Sequence, residues 1–214
     1  YPLFDQEQKL YLVLCVYREI SDYLNMVSVI NKQKIELKSS KDFEYHNGTK
    51  YVFESIIGES PKMKKCIEQA KIASKTLEPV LLYGETGSGK ELFAQSIHNS
   101  SVYSNKDFVA VNCAAIPENL LESTLFGTRR GSYTGALDTK GLLYEAEGST
   151  LFLDELNSMD IRMQSKLLRV LETGKYRRVG ETEERSCNVR IISAVNREPQ
   201  KLIQEGKLRA DLYH

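Results

Sequence analysis

Four short stretches of the chain are almost continuously apolar, and stretches with helical spacing separate them. The apolar stretches are PVLLYG, FVAVNC, STLFLDE and NVRIISAVN. Apolar residues recur every three or four positions in SPKMKKCIEQAKIAS, KELFAQSIHNS, PENLLESTLFG, DIRMQSKLLRVLE and EPQKLIQEG. The first of these begins with two helix signals, Ser60 as the N-cap and Pro61 as the first helical residue. Apolar strands that alternate with helices predict an α/β fold, with a mainly parallel sheet between layers of helices.

The first fifty residues have a different pattern. YPLF and KLYLVLCVY lie on either side of the polar turn DQEQ and predict a β-hairpin within residues 1–20. Residues 21–50 are predicted to form a linker helix and a polar loop, and we expect the α/β domain to occupy residues 51–214. The narrow apolar stripe of the linker helix fits either a short parallel coiled coil or a connector that packs on a neighbour. The stripe consists of Ile20, Leu24, Val27, Ile30 and Leu37.

Charge and cysteine content exclude several classes of protein. Lys plus Arg and Asp plus Glu both number 29, so the net charge is zero and argues against a generally basic nucleic-acid-binding surface. The 4 cysteines form no CxxC pair, which disfavours a zinc site and is typical of reduced cytosolic thiols. The longest apolar run, LYLVLCVY, is shorter than the ~20 residues that cross a bilayer. We therefore expect a cytoplasmic protein with no membrane partner, and the abrupt ends of the pattern are typical of a fragment.

The stretch GETGSGKE follows the first predicted strand of the α/β domain and opens a helix. Two glycines that flank four residues, with a lysine next, have the spacing of a phosphate-binding loop. In such a loop backbone amides surround the phosphates and the lysine reaches the β and γ phosphates. The alternative, an ordinary glycine-rich turn, is disfavoured by the flanking strand and helix. The expected ATP-binding residues are Gly84, Glu85, Thr86, Gly87, Ser88, Gly89, Lys90 and Glu91.

An acidic pair ends another apolar strand, TLFLDE. Asp154 is placed to hold Mg²⁺, directly or through water, and Glu155 to polarise an attacking water as a general base. Glu91 stands where a phosphate-binding loop usually has a magnesium-binding Ser or Thr, so the metal depends on ligands such as Asp154. The alternative is that the acidic pair caps the next helix.

Three further residues each have two interpretations. Asn196, at the end of IISAVN, can bond the γ phosphate or the attacking water, or it can form a turn. Asn112, at the end of FVAVN, is similar and could also hold Glu155 until nucleotide arrives. Arg209 is either a surface arginine paired with Asp211 or an arginine finger donated to a neighbouring subunit's γ phosphate.

From residue 54 onward the chain resembles the AAA+ domain of bacterial enhancer-binding proteins, the ATPases that activate sigma-54 RNA polymerase. The segments that carry the resemblance are GETGSGKE, NCAAIPENLLESTLFG, GSYTGA, GSTLFLDEL, KLLRVLETGKYRRVG, NVRIISAVNREP and LRADLY. It implies the fold of an AAA+ P-loop NTPase, hydrolysis of ATP with Mg²⁺, a homo-oligomeric ring of hexamer or heptamer type, and sigma-54 RNA polymerase as the partner. It also implies DNA binding through a C-terminal domain that this chain does not contain.

The resemblance assigns roles to individual residues. Asn112 matches the asparagine that restrains the catalytic glutamate, and Arg209 matches an arginine finger that acts in trans. Asn196 matches the first sensor residue, although Val195 replaces the usual threonine before it. Ile57 and Gly58 match the pocket on the adenine side. The family normally has a glutamate at the position of Glu91.

The stretch GSYTGA lies between LLESTLFG and GLLYEAEG and continues no helical or strand period. We expect it to project from a helical hairpin as a mobile loop, because its glycines and hydroxyl bring polar groups that cannot pack in the core. The alternative is a plain surface turn. The family pattern, Gly-Ala-Phe-Thr-Gly-Ala, implies that the loop grips sigma-54, with serine and tyrosine replacing alanine and phenylalanine. Its residues are Gly131, Ser132, Tyr133, Thr134, Gly135 and Ala136.

The N-terminal stretch YPLFDQEQKLYLVLCVYREISDY is similar to the final hairpin of a PAS sensory domain. Together the two resemblances imply a sensor, a linker and an ATPase in one transcription regulator. Two other functions remain open at this point. One is a nucleotide-binding regulator that does not engage sigma-54, and the other is an AAA+ remodelling enzyme with a different client. The stretch GSYTGA disfavours both.

Overall fold

The computed structural model of the protein describes residues 2–4, 10–15, 46–132 and 136–213. The strands of its main sheet are β1 (Pro2–Phe4), β2 (Leu10–Cys15), β3 (Val80–Tyr83), β4 (Phe108–Asn112), β7 (Thr150–Asp154) and β10 (Arg190–Val195). Two small ribbons are formed by β5 (Gly127–Thr128), β6 (Thr139–Lys140), β8 (Lys175–Tyr176) and β9 (Arg185–Ser186). The helices are α1 (Pro61–Ser74), α2 (Lys90–Asn99), α3 (Glu118–Phe126), α4 (Leu142–Glu145), α5 (Ile161–Thr173) and α6 (Pro199–Gln204).

The main sheet has the strand order β1-β2-β3-β10-β7-β4. All neighbouring strands in the series β2-β3-β10-β7-β4 are parallel, whereas β1 pairs with β2 in the antiparallel direction. The α/β fold with a mainly parallel sheet is therefore confirmed, and so is the hairpin of β1 and β2. The predicted linker helix lies within residues 16–45, which are outside the described residues, so the proposed division into three segments stays a prediction.

Side chains that alternate along each central strand build two separate cores, one on each face of the sheet. Leu81, Leu151 and Ile191 face the core that α3 and α5 cover. Val80 and Leu82 face the opposite core, which α1 and α2 cover. Burial on both faces explains why these strands read as continuous apolar runs in the sequence.

The last residues of the predicted linker pack against the α/β domain. Asn47 and Thr49 are buried, and the Asn47 side chain donates to Asn99 Oδ1 at 2.8 Å at the end of α2. The Thr49 hydroxyl donates to Asn47 Oδ1 at 2.7 Å. This network of buried amides and hydroxyls anchors the entry into the domain. At α1, the predicted N-cap is confirmed, because Ser60 Oγ accepts from the Met63 amide at 3.2 Å.

The stretch around residues 131–136 differs from the predicted helical hairpin. The antiparallel ribbon of β5 and β6 lies at its base, and only the four-residue helix α4 follows. Gly127 ends α3 with φ of +82°, and a Cβ at that position would lie 2.6 Å from the Thr139 carbonyl oxygen. A Cβ at Gly141 would lie 2.4 Å from the Leu125 carbonyl oxygen. The two glycines thus let the arms approach closely enough to pair as strands, which helical spacing alone does not reveal.

Candidate functional site

The polar residues predicted from sequence meet at the carboxyl edge of the sheet. The strand register places Asn112 beside Asp154 and Val195 beside Tyr83. The Gly84 amide, which follows β3, donates to the Val195 carbonyl at 3.2 Å. The loop after β3, the acidic pair after β7 and the asparagine after β10 therefore share one edge, where parallel α/β sheets bind ligands.

The loop of residues 84–89 has the conformation of an anion cradle. Gly87 and Gly89 adopt φ of 76° and 90°, values that side chains with a Cβ rarely tolerate. A Cβ at Gly89 would meet no atom within 4 Å, so space is open beside the start of α2. The amides at that helix end and the helix dipole favour a negatively charged group there. The hydroxyl of Ser88 is buried and has no hydrogen-bond partner in the described part of the chain.

Lys90 is buried at the first position of α2, and its ammonium group bonds to the loop itself. Nζ donates to the Gly84 carbonyl at 2.9 Å and to the Glu85 carbonyl at 3.0 Å. Desolvation lowers the pKa of Lys90, and the negative charges of Asp154 and Glu155 oppose that shift. The lysine is thus held by neutral carbonyls, which a phosphate can replace, and it lies within the electrostatic reach of both carboxylates.

The acidic pair has an unusual backbone. Glu155 adopts φ 53° and ψ 46°, and it is the sole non-glycine residue with positive φ in the described chain. This left-handed conformation costs on the order of 1–3 kcal/mol and is found preferentially at functional sites. The Glu155 amide donates to Asp154 Oδ1 at 2.9 Å. The pair does not cap the next long helix, because Asp160 Oδ1 accepts from the Arg162 amide and caps α5.

The two asparagines differ in their hydrogen bonding. Asn112 Oδ1 accepts from the Ala114 amide at 2.9 Å and caps the 3-10 turn Cys113–Ala115. Among the described residues no hydrogen bond joins Asn112 to Glu155, and the cap uses only the Asn112 oxygen. Asn196 Oδ1 is buried and lacks a partner in the described chain. An acceptor left open at this edge suits a water molecule or a ligand hydroxyl.

The chemistry of this edge fits Mg²⁺ with a nucleotide. Mg²⁺ is usually bound by one or two carboxylates together with phosphate oxygens and water, rather than by a full cage of protein ligands. Asp154 supplies such a carboxylate at the end of β7. Within the described residues no cluster of three or more His, Cys, Asp or Glu forms a metal cage. Burial raises the pKa of the neighbouring Cys113 thiol to about 12, and the Asp154 charge adds to the shift, so this thiol stays protonated.

Arg209 lies on the loop after α6, and the partners of its guanidinium group are outside residues 84–91. Its guanidinium pairs with Asp211, and Nη1 donates to Ser165 Oγ at 2.6 Å. The Asp211 hydrogen bond raises the pKa of Arg209. The surface pairing that the sequence allowed is therefore present in the single chain, and 32% of the Arg209 side chain stays exposed.

Ile57 and Gly58 precede α1 in a segment without regular secondary structure. Ile57 is 36% exposed. A Cβ at Gly58 would lie 2.5 Å from Met63 Cγ. This position therefore requires glycine because the chain runs directly over α1.

The structure describes only part of the stretch GSYTGA, since Tyr133, Thr134 and Gly135 lie outside the described residues. The Gly131 amide donates to the Ala136 carbonyl at 3.3 Å, which closes the loop at its base. Ala136 is buried and Ser132 is half-buried, whereas Gly131 is exposed. Gly131, Ser132 and Ala136 thus build the neck of the loop.

A second hairpin clamps this neck and was not identified from the sequence. The Arg129 amide donates to the Val179 carbonyl at 3.0 Å, and the Val179 amide donates to the Gly127 carbonyl at 2.9 Å. Arg178 pairs with Asp138 on the arm that follows the loop, at 3.2 Å. The charged run KYRRVGETEER was a signal of this contact, but such runs more often form a solvated surface. We call residues 127–132 and 136–140, together with the hairpin 175–186, the neck clamp.

Glu181 holds the neck clamp together. Its carboxylate accepts from Arg178 Nε at 3.0 Å and from Arg185 Nε at 2.9 Å. Hydrogen bonds from Arg185 and Arg178 lower the pKa of Glu181 well below its usual range. Only 6% of the Glu181 side chain is exposed, so the two arginines compensate a carboxylate removed from water.

A model of the Sigma-54 interaction domain family matches residues 56–214 of the chain. The chain belongs to this family. The chain is similar over 181 residues to the transcriptional activator RocR of Bacillus subtilis strain 168, with 48% identity covering 85% of this chain and 39% of the relative. It is 41% identical to a signal-transduction and transcriptional-control protein of Clostridium beijerinckii, covering 100% of this chain and 32% of the relative. The chain thus spans well under half the length of these relatives.

Solved structures have the same fold as this sigma-54 interaction domain. NtrX of Brucella abortus in complex with ADP superposes with a TM-score of 0.68 at 33% identity, covering 92% of this chain and 43% of that chain. The P-loop NTPase domain of a sigma-54 activator from E. coli superposes with a TM-score of 0.50 at 18% identity over 73% of this chain and 90% of that chain, which supports the fold alone. The prediction of an AAA+ P-loop NTPase fold is confirmed. No helix in the described part of the chain has the length and hydropathy needed to cross a membrane.

Proposed function

We propose that this chain is the ATP-hydrolysing part of a cytoplasmic transcriptional activator that remodels sigma-54 RNA polymerase. The observation that carries the proposal is the meeting of four elements at one sheet edge. These are the phosphate-binding loop, the buried Lys90, the acidic pair and the open acceptor of Asn196. Membership of the Sigma-54 interaction domain family supports sigma-54 RNA polymerase as the partner.

For ATP binding, the Lys90 ammonium exchanges the Gly84 and Glu85 carbonyls for phosphate oxygens. This exchange is favourable because a charged acceptor replaces two neutral ones in a partly desolvated site. The amides of residues 84–91 at the start of α2 bind the remaining phosphate oxygens. Ile57 and Gly58 line the adenine side. The structure of NtrX with ADP supports nucleotide binding by the shared fold.

For hydrolysis, Asp154 holds Mg²⁺, and the metal supplies charge neutralisation at the phosphates. Glu155 orients the attacking water and accepts its proton. Its left-handed backbone fixes the direction of the carboxylate relative to β7. Asn196 contributes its open acceptor to the water or its amide to the γ phosphate. Asn112 restrains Glu155 until nucleotide arrives, by donating its side-chain N–H group to the carboxylate while its oxygen caps the turn Cys113–Ala115.

Assembly as a hexameric or heptameric ring completes the site. Arg209 is bonded to its own chain in the single protomer, so its finger role requires a neighbouring subunit whose γ phosphate replaces Asp211 and Ser165. A cyclic ring of identical subunits provides such head-to-tail contacts. The loop tip of Tyr133, Thr134 and Gly135 then contacts sigma-54, with the tyrosine ring as the apolar anchor.

DNA binding through a C-terminal domain and signal input through a PAS-like domain whose C-terminal end is residues 1–20 complete the proposed activator. Both rest on the resemblance of the sequence. In this arrangement ATP hydrolysis by the ATPase domain moves the loop tip. The DNA-binding domain determines the promoter, and the PAS-like domain determines when the ATPase acts.

One experiment tests the proposal directly. Full-length protein is expected to hydrolyse ATP and to isomerise a closed sigma-54 promoter complex. A Thr134→Ala variant is expected to retain ATPase activity but to lose sigma-54 binding trapped with a transition-state analogue. A protein that binds ATP but neither hydrolyses it nor isomerises the complex would point instead to a nucleotide-binding regulator that does not engage sigma-54. Normal activation by the Thr134 variant would exclude the loop as the coupling element.

A further inference from the structure

One glutamine in the core connects two distant parts of the chain. Gln164 lies on α5 and is fully buried, with 0% of its surface exposed. Its Nε2 donates to the Met159 carbonyl at 2.8 Å and to the Lys207 carbonyl at 3.0 Å. Its Oε1 accepts from the Arg209 amide at 3.0 Å. Both donors and one acceptor position of the amide are therefore used.

The hydrogen bond from Gln164 to the Met159 carbonyl reaches the segment that follows the proposed general base, Glu155, of the same subunit. Met159 ends the 3-10 turn Leu156–Ser158, whose N-cap is Glu155. The Met159 amide also donates to the Leu156 carbonyl at 3.0 Å, so the turn and the Gln164 contact form one rigid unit.

The other two hydrogen bonds of Gln164 hold the segment that carries Arg209. Gln164 binds the backbone on either side of Leu208, which is itself 2% exposed and packed in the core. The next residue on α5, Ser165, accepts from the Arg209 guanidinium. Helix α5 thus holds both the backbone and the side chain of Arg209.

We infer that Gln164 is a positioning residue that sets Arg209 at the subunit interface and links it to the segment after Glu155. The inference rests on the proposed trans role of Arg209. In a ring, Glu155 serves the subunit's own nucleotide and Arg209 serves the neighbour's, so this single amide joins two adjacent ATP sites. A buried amide with all of its donors satisfied is rigid, because every alternative orientation leaves buried polar groups unpaired.

The main test uses Gln164→Met in the full-length protein, since methionine has a similar length and flexibility but no amide. We expect unchanged binding of a fluorescent ATP analogue and a kcat lowered between about tenfold and a hundredfold, because small displacements of a catalytic group have effects of this size. Gln164→Asn, which keeps an amide but is one methylene shorter, serves if the methionine variant folds poorly.

Subunit mixing then locates the defect. Gln164→Met subunits have a sound nucleotide site and a misplaced arginine. Mixed with Lys90→Ala subunits, they should regain ATPase activity, because the partner supplies a correctly placed Arg209. Mixed with Arg209→Ala subunits, they should regain none. Recovery with Arg209→Ala but not with Lys90→Ala would place the defect in the subunit's own site and overturn the inference. Wild-type kcat for Gln164→Met would also overturn it.

Two controls keep the outcomes separate. A mixture of Lys90→Ala and Arg209→Ala subunits tests the trans role itself, so absence of recovery there rejects the proposed finger and the inference with it. If that mixture recovers and neither Gln164 mixture does, the substitution impairs the subunit's own site or its fold as well, and the assignment of the defect to Arg209 is overturned. Gln95→Met is the matched variant, because Gln95 is also buried and bonds to the Lys50 and Tyr51 amides and to Glu91. Gln95→Met should lower thermal stability. In the mixing assay it should not show the pattern of an arginine-finger defect, which is recovery with Lys90→Ala subunits and none with Arg209→Ala subunits.

Discussion

The nucleotide edge and the neck clamp each contain a cation largely shielded from water, Lys90 and Arg178, but the surroundings of the two cations are opposite. At the nucleotide edge, burial lowers the pKa of Lys90, and the ammonium bonds to neutral carbonyls. In the neck clamp, the hydrogen bonds that Arg178 and Arg185 donate to Glu181 raise the pKa of both arginines. The edge also retains a strained glutamate and open acceptors, whereas the clamp pairs its charges internally.

The difference follows from what each region must do. A site that receives a charged ligand keeps charges and hydrogen-bonding groups available for that ligand, which lowers the stability of the fold. A region that must hold a loop in one position gains rigidity from satisfied ion pairs and backbone bonds. Substitutions should therefore affect activity at the edge and stability or coupling in the clamp, and four predictions test this division.

The largest effect is expected at the nucleotide edge. Lys90→Ala should abolish nucleotide binding, because the loop loses the ammonium group that neutralises the β and γ phosphates. Glu155→Gln should retain binding and lower kcat by about 10²–10⁴-fold, the usual range for loss of a general base. Binding of a fluorescent ATP analogue and phosphate release measure the two effects. Normal hydrolysis by Glu155→Gln would show that the base is another group.

The next effect concerns the charged centre of the clamp. Glu181→Gln should lower the free energy of unfolding by roughly 1–3 kcal/mol, because two arginines lose a charged acceptor. The folded-state pKa of Glu181 is depressed, so its stabilisation is fully present above the unfolded value of about 4.3 and is lost progressively as pH falls from there toward the folded-state pKa. Urea melts should therefore show a smaller difference between variant and parent at pH 3 than at pH 7. Equal differences at both pH values would contradict the charge argument.

A smaller effect is expected where the clamp touches the loop neck. A Cβ at Gly180 would lie 2.2 Å from the Ser132 Cβ, and the residue has φ of +77°. Gly180→Ala should therefore destabilise by about 1–2 kcal/mol and displace the loop. Gly148→Ala is the matched control, since Gly148 has φ of +68° but nothing within 4 Å of the added atom. If both variants melt at the same temperature and activate sigma-54 equally, the contact with Ser132 does not position the loop.

The smallest effect on stability is expected for Asn112, which belongs to the edge. Asn112→Ala removes the cap of the turn Cys113–Ala115 and should cost about 0.5–1 kcal/mol. Asn112→Ser keeps a capping oxygen and should restore the stability. ATPase assays on both variants separate capping from restraint of Glu155. A serine variant with full stability and altered hydrolysis supports the restraint, whereas full hydrolysis in both variants confines Asn112 to capping.

The sequence alone was enough to predict the central elements and the nucleotide edge. Apolar runs in β3, β4, β7 and β10 are local signals of strands buried on both faces, and glycine spacing around Lys90 is a local signal of the loop geometry. Because parallel strands end at a common edge of the sheet, the order of elements along the chain also predicts that Lys90, Asp154 and Asn196 lie together.

The tertiary structure decided what depends on contacts between distant segments. The short strands below the loop pair residues 127–128 with 139–140, and no local pattern predicts that pairing. The same holds for the contact of the neck clamp with the loop and for Gln164. Two of the three hydrogen bonds of Gln164 reach Lys207 and Arg209, far along the chain, whereas helical spacing shows only that Gln164 lies on a helix. A local pattern predicts which face of an element is buried, whereas the partners of a buried polar group depend on which chain segments the fold brings against it.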